Sequence, residues 1–489
     1  MKNGKYKVNK KKSIIILFTI LLIAFQFIFI EYAKSISNSN IDKAVIIVSW
    51  LSIISFILEL ILWKKLTNEL FSPFGVFFVV LFVFTLGQTI GWTFGIDLGT
   101  RDWWNRNDHG MTHQLIFDGI IYSSLSLSLF FLGSIIGEKI TSNYKKNKKN
   151  NFRQLLLTFE KVGKFFLFIS IPAFIIQSYS NFTTASQSGY ASLYIEQSGS
   201  TTFKTIIDIL ANFYQPSLLL LLISNKDKKK NRLIILFFMF IDVFIELFVG
   251  GRSNAVMTIL GIILAYHYFI KPINKKNMTK GVIGGYFGIA VLNCIAKIRD
   301  IPNKNLTTFF TTLFDSFSNA LGYFIGELGW NLSSICWTMK LVPSKYPFRC
   351  GKSYLASFLS VIPSSFFGGK RNHPTVIYSN VGDWLQESLN MSYGPGYTMV
   401  AESYINFAWF GIIAMLFMGF IVSKFIAKTK REDSDDDVIN STFQIVFIMT
   451  VMKSLIRSSF SSAFRIFFFN VLIIYVVIKI LSKKQIESK

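Results

Sequence analysis

Long apolar runs recur from one end of this chain to the other, and they restrict its folding more than any motif does. A bilayer-crossing helix needs roughly 20 mostly apolar residues. Runs of about that length cover residues 13–30, 44–63, 72–96, 115–136, 162–179 and 205–223. Six more cover 233–249, 255–270, 281–296, 400–425, 442–459 and 466–481. Inside hydrocarbon every backbone donor and acceptor needs an internal partner, so a spanning run of this length is a helix. The expectation is an all-α polytopic membrane protein of about 12 transmembrane helices, one membrane domain over 1–489. No internal repeat of the kind common in transporters is visible.

Composition fits only this class. The chain is 51% hydrophobic yet carries a formal charge of +24, and the two agree once the charges are confined to loops. "MKNGKYKVNKKK" precedes the first run without a small-residue cleavage site, so that run is expected to be a retained span. With the N-terminus inside, alternation puts "WKK", "EKITSNYKKNKKNNFR", "NKDKKKNR", "KPINKKNMTK", "KTKRE" and "SKKQIESK" inside as well. All lysine clusters then share one face, as the positive-inside rule requires. Both termini are expected to be cytoplasmic. The basic surplus is topology anchoring, so no nucleic-acid partner is implied. "EDSDDD" lies beside "KTKR" on that face and reads as a solvated linker rather than a metal chelator. Cys294, Cys336 and Cys350 are too few for a disulfide framework. Cys336 and Cys350 share an outer segment, either paired or as free thiols; Cys294 reads as core packing.

The outer face is uneven. Residues 297–399 form one long late segment, and its stretch "LTTFFTTLFDSFSNALGYFIGELGWNLSSICWTMKLV" is too polar to cross comfortably. Helices lying at the interface or dipping into it are expected there. A crossing by 306–325 would place "KTKRE" outside, against the charge rule.

Arginine is distributed differently from lysine. Of eleven arginines, Arg153, Arg232 and Arg431 fall inside. Arg101, Arg106, Arg252, Arg299, Arg349, Arg371, Arg457 and Arg465 fall outside or at the outer edge. Guanidinium is a permanently charged flat fork that takes phosphate or carboxylate in two-pronged fashion. An outward, arginine-lined cavity implies an anionic ligand. Within the spans, Asp242 and Glu246 stand one turn apart, as do Lys453 and Arg457. Each charge is costly in hydrocarbon, so each faces protein or water. Either the two pairs neutralise one another and lock two spans, or the cations hold a pyrophosphate whose lipid tail stays in the bilayer. Both hold if Glu246 orients an arginine that touches phosphate. Gly250-Gly251 would let Arg252 turn inward at a helix end.

Two stretches carry a resemblance. "FVGGRSNAV" (248–256) and "GPGYTMVAESYINFAWFG" (394–411) are similar to the signatures of the Wzy-type polymerases, which join lipid-linked oligosaccharide repeat units into O-antigen, capsular or exopolysaccharide chains. The second match rests on Gly394, Pro395, Gly396, Ala401, Glu402, Tyr404, Asn406, Phe407 and Gly411, with Ala408 where the family pattern has glycine. "VIPSSFFGGKRNHP" (361–374) resembles the family's large outer loop, and the general architecture matches over nearly the whole chain.

The resemblance implies a membrane glycosyltransferase of the bacterial cytoplasmic membrane that uses neither nucleotide sugar, cofactor nor divalent metal. The donor is a chain on undecaprenyl pyrophosphate, attacked by a hydroxyl of an incoming unit. "EYAKSISNSNIDK", the first outer loop, lacks the paired acids expected of metal-dependent lipid-sugar transferases. A repeat-unit flippase and a chain-length regulator are implied partners.

Roles follow as expectations. Arg252 contacts phosphate or sugar, where helix amides also favour anions, or else snorkels at the interface. Glu402 takes the acceptor proton, or caps its helix and pairs with an arginine. His373 is the alternative base, or a loop residue without a role. Lys453 and Arg457 are the second candidate for the pyrophosphate clamp, with Arg299, Arg371, Arg465 and Glu246 as further substrate contacts. Tyr393, Tyr397, Trp384 and Trp409 form a stacking platform for sugars, or an aromatic belt at the membrane edge. A ligase sharing the same donor, and a flippase or exporter of lipid-linked units, are the rival readings.

Overall fold

A computed structural model of the chain describes residues 2–138, 152–188, 202–299, 305–362, 373–392, 394–427 and 434–487. No strand occurs among the described residues. The first half comprises α1 (Lys2–Ser37), α2 (Ile41–Thr67), α3 (Pro73–Phe94), α4 (His113–Gly137) and α5 (Phe152–Ser188). It continues with α6 (Thr202–Ala211), α7 (Tyr214–Ser224), α8 (Lys229–Val249), α9 (Arg252–Ala265) and α10 (Lys275–Arg299). The segment 297–399 holds α11 (Leu306–Ser318), α12 (Ala320–Leu328), α13 (Leu332–Leu341), α14 (Lys352–Leu359), α15 (Pro374–Ser379) and α16 (Val381–Ser388). The last part is α17 (Met399–Phe407), α18 (Gly411–Ile426), α19 (Asp435–Thr450), α20 (Met452–Arg457), α21 (Phe460–Ile466) and α22 (Ile474–Glu487).

Eight helices among the described residues are long and apolar enough to cross a membrane, and each coincides with an expected run. The other four runs are helical too: 162–179 within α5, 233–249 within α8, 281–296 within α10, and 442–459 divided between α19 and α20. Large side chains point outward along these helices, among them Phe168, Phe237, Phe244 and Phe410. Water would penalise such a surface, whereas acyl chains do not distinguish it from a core. The chain is a multi-pass membrane protein.

No helix among α11 to α16 is longer than the 13 residues of α11, too short to span. In α11, Phe310 and Phe314 are exposed while Thr312 and Ser316 are buried, so its apolar side faces away from the protein. All three cysteines are free; Cys336 is buried and Cys350 exposed. The described part of the acidic run opens α19, where Ser434 accepts from Asp437 N and Lys479 pairs with Asp436. Glu432 and Asp433 lie outside the described residues.

Helix α4 crosses α18 at close range. A Cβ on Gly133 would lie 1.9 Å from Leu416 O, and one on Gly419 would lie 1.9 Å from Phe130 O. These glycines let two backbones touch, the usual way helices associate where apolar side chains gain nothing over lipid. Between α17 and α18 stands Ala408 with φ 53° and ψ −139°. That left-handed backbone favours glycine, which is the physical reason a glycine is expected there.

Candidate active site at the start of α9

The turn between α8 and α9 builds the site. Gly250 takes φ 100° and its N–H closes α8 on Glu246 O at 3.1 Å. At Gly251 a Cβ would lie 2.1 Å from Glu246 Oε2. The missing side chain therefore leaves room for the Glu246 carboxylate to fold over the turn. It accepts from Asn254 Nδ2 at 3.0 Å.

Three consecutive residues in the first turn of α9 then reach three partners. Arg252 Nη1 donates to Glu327 Oε2 at 2.8 Å, and Nη2 donates to Glu327 Oε1. Ser253 Oγ accepts from Arg457 Nη1 at 3.3 Å. Asn254 Oδ1 accepts from Lys453 Nζ at 2.6 Å. The one-turn spacing of Lys453 and Arg457 on α20 is what lets both meet α9. Glu246 thus connects to Lys453 through Asn254, and all five charged groups are half-buried rather than sealed. The cations sit at the N-terminus of a 14-residue helix, whose amides and dipole add to the attraction for an anion.

Neighbouring elements continue this surface. Trp330, one turn beyond Glu327, carries the guanidinium of Arg101 at 4.7 Å and that of Arg106 at 5.1 Å from its ring centroid. The Gly-Pro-Gly turn packs here as well: Gly396 has φ 81°, and a Cβ on it would lie 3.2 Å from Asn331 Oδ1. Tyr397 N donates to Arg457 O at 3.3 Å.

Other expected site residues lie elsewhere. Asp242 accepts from Gln215 Nε2 at 2.8 Å, with Thr258 on the same amide, so it takes no part in the Glu246–Asn254–Lys453 connection. The acid on Arg252 is Glu327 and not Glu246. Arg465 on α21 has Asp208 as its acidic neighbour. Glu402 is fully buried; Ser353 Oγ donates to Oε1 and Phe460 N to Oε2, each at 2.7 Å. Both oxygens are engaged, and the helix Glu402 caps is α21 rather than its own, whose N-cap is Thr398. His373 caps α15, its Nδ1 accepting from Thr375 N at 3.3 Å. Tyr397 is buried, with its hydroxyl 3.1 Å from Thr338 Oγ1. Trp384 packs under the Arg349 guanidinium at 5.3 Å, and Trp409 against Tyr122 at 5.4 Å. Arg299 closes α10, its side chain outside what the structure describes, and Arg371 and Tyr393 lie outside the described residues. No group of three His, Cys, Asp or Glu able to hold a metal ion occurs among the described residues.

Comparison with protein families then decides the class. The family model for the O-antigen polysaccharide polymerase Wzy matches residues 2–487. The chain belongs to the Wzy family of O-antigen polysaccharide polymerases. No curated protein and no solved structure matches it. Within this Wzy-family chain, the "FVGGRSNAV" stretch builds the α8–α9 turn and the "GPGY" stretch packs beside it. Two segments far apart in sequence, 248–256 and 394–397, therefore border one cationic surface. Glu327, Ser253 and Asn254 were not singled out from the sequence. A lone acid in the apolar stretch "FIGELGW" was the available signal for Glu327, but nothing local names its partner.

Proposed function

We propose that this chain extends a polysaccharide at the outer face of the bacterial cytoplasmic membrane, joining repeat units carried on undecaprenyl pyrophosphate. The observation that carries this reading is the meeting of Arg252, Lys453 and Arg457 on the first turn of α9. In the proposed reaction an acceptor hydroxyl attacks the anomeric carbon of the donor chain, the C–O bond to phosphate breaks, and lipid pyrophosphate leaves with the electron pair. Charge grows on that leaving group, and fixed cations placed beforehand lower the barrier without reorganising. Arg252 supplies the two-pronged grip, Lys453 and Arg457 supply charge beside it, and Glu246 with Asn254 positions Lys453. Glu402 acts as a positioning residue that ties α17 to α21.

With both termini cytoplasmic, α8 ends and α9 begins at the outer face, where flipped repeat units arrive; the flippase and a chain-length regulator are the proposed partners. The test is extension of defined lipid-linked units by purified protein, with and without a chelator. A ladder of lengthened lipid-linked chains that survives chelation is expected. Transfer to a different acceptor would instead assign a ligase, and loss of the ladder on chelation would overturn the metal-free step.

A further inference from the structure

We propose that Glu327 occupies the diphosphate's place on Arg252 while the site is empty and, once displaced, accepts the proton of the attacking hydroxyl. This rests on the reading that Arg252 grips the donor's diphosphate. The two terminal nitrogens of Arg252 are both taken by the two oxygens of Glu327, which is the same edge and the same two-pronged geometry a phosphate requires. Carboxylate and phosphate therefore compete for one edge. A diphosphate brings more charge and also meets Lys453 and Arg457, so it wins that competition and sets a carboxylate free beside itself.

The surroundings allow the side chain to move and hold its backbone still. Glu327 is 30% exposed. On one side of it, a Cβ on Gly326 would lie 2.6 Å from Leu98 O; on the other, one on Gly329 would lie 2.5 Å from Gln88 N. Gln88 Nε2 also donates to Gly326 O at 3.0 Å. The end of α12 is pressed onto α3, so the swing belongs to the carboxylate. Neighbouring acids are less suited: Glu402 has both oxygens engaged in the core, Asp242 is 3% exposed and held by Gln215, and Glu246 carries the Asn254–Lys453 connection. In the step itself the hydroxyl proton passes to Glu327, the hydroxyl oxygen bonds the anomeric carbon, and the bond from that carbon to the diphosphate oxygen breaks, its electron pair leaving with the diphosphate. Water then takes the proton from the neutral acid. The arrangement couples proton removal to donor occupancy, because the base is free only when the leaving group is in place.

The experiment measures undecaprenyl diphosphate binding and chain extension on the same folded, monodisperse preparations. Glu327→Gln should bind the lipid diphosphate roughly 3- to 10-fold more tightly, because its own competitor is gone. Its extension should fall by about 100-fold or more. The gain in binding should vanish when Arg252→Ala is added. Weaker or unchanged binding in Glu327→Gln, or retained extension, overturns the inference. Glu327→Asp keeps a proton acceptor and should recover part of the extension; an equal loss in both variants points to packing and also overturns it. If Arg252→Ala binds like the parent protein, the arginine grip itself is wrong. If Arg252→Ala loses binding while Glu327→Gln is unchanged, the grip stands and only the role given to Glu327 falls.

Discussion

Phe460 N donates to Glu402 Oε2 at 2.7 Å, so the carboxylate of α17 caps the first turn of α21. Ser353 Oγ takes the other oxygen, and Asn406 Nδ2 donates to that same hydroxyl at 2.7 Å. Three helices, α14, α17 and α21, meet on one buried acid. Glu402→Ala strands two donors, each costing about 1–3 kcal/mol when left unpaired in the core. A lower unfolding midpoint in detergent is expected, with lipid diphosphate affinity unchanged. A normal midpoint with lost extension would return Glu402 to the role of base.

Arg252 is expected to matter through its shape as well as its charge. Arg252→Ala should lower extension by at least about 100-fold, the scale of losing a fixed donor to a developing anion. Arg252→Lys keeps the charge without the fork and should recover only part of the loss. Initial rates on defined lipid-linked units check both, with membrane insertion verified separately; full activity in either variant removes Arg252 from the mechanism.

Gly251 tests the turn without touching any charge. Its φ of −76° suits any residue, but a Cβ would meet Glu246 Oε2. The carboxylate is the flexible end, so it yields and its bond to Asn254 breaks. Gly251→Ala should fold and insert normally, yet extend chains roughly 10- to 100-fold more slowly, as a small misplacement of binding groups does. Parent-like rates would show that Glu246 does not position Lys453.

At Ala408 the same logic predicts a gain. A non-glycine residue at φ 53° and ψ −139° carries a strain of about 1–3 kcal/mol. Ala408→Gly should raise the unfolding midpoint, with activity unchanged. Thermal unfolding of the two proteins side by side checks it.

Cys350 reports on orientation. It is the exposed one of three free thiols, with Cys294 and Cys336 buried. A membrane-impermeant maleimide applied to intact cells should label the protein, and Cys350→Ser should abolish the signal. Labelling only after permeabilisation would invert the proposed topology and place the arginine cluster on the wrong face.

The membrane class and the helical architecture were readable from local information. An apolar run of about 20 residues has one stable form in a bilayer, because the backbone must satisfy its own hydrogen bonds, and the expected runs are largely helical here, though 205–223, 400–425 and 442–459 are each divided between two helices. Gly250 and Gly251 likewise announced a turn before α9. Pairing was not readable in this way. Asp242 and Glu246 share a spacing, yet one meets Gln215 and the other Asn254. Arg252 looked to the nearest acid in sequence and found Glu327, 75 positions away. Arg457 joined the cluster while Arg465, two turns on, faces Asp208. Helix formation depends on neighbours within four residues and on the solvent around them, so a linear string carries it. Which charge meets which depends on the rotation and crossing of whole helices, and those are settled by contacts such as Gly133 on Leu416 and Gly419 on Phe130, far apart in the chain.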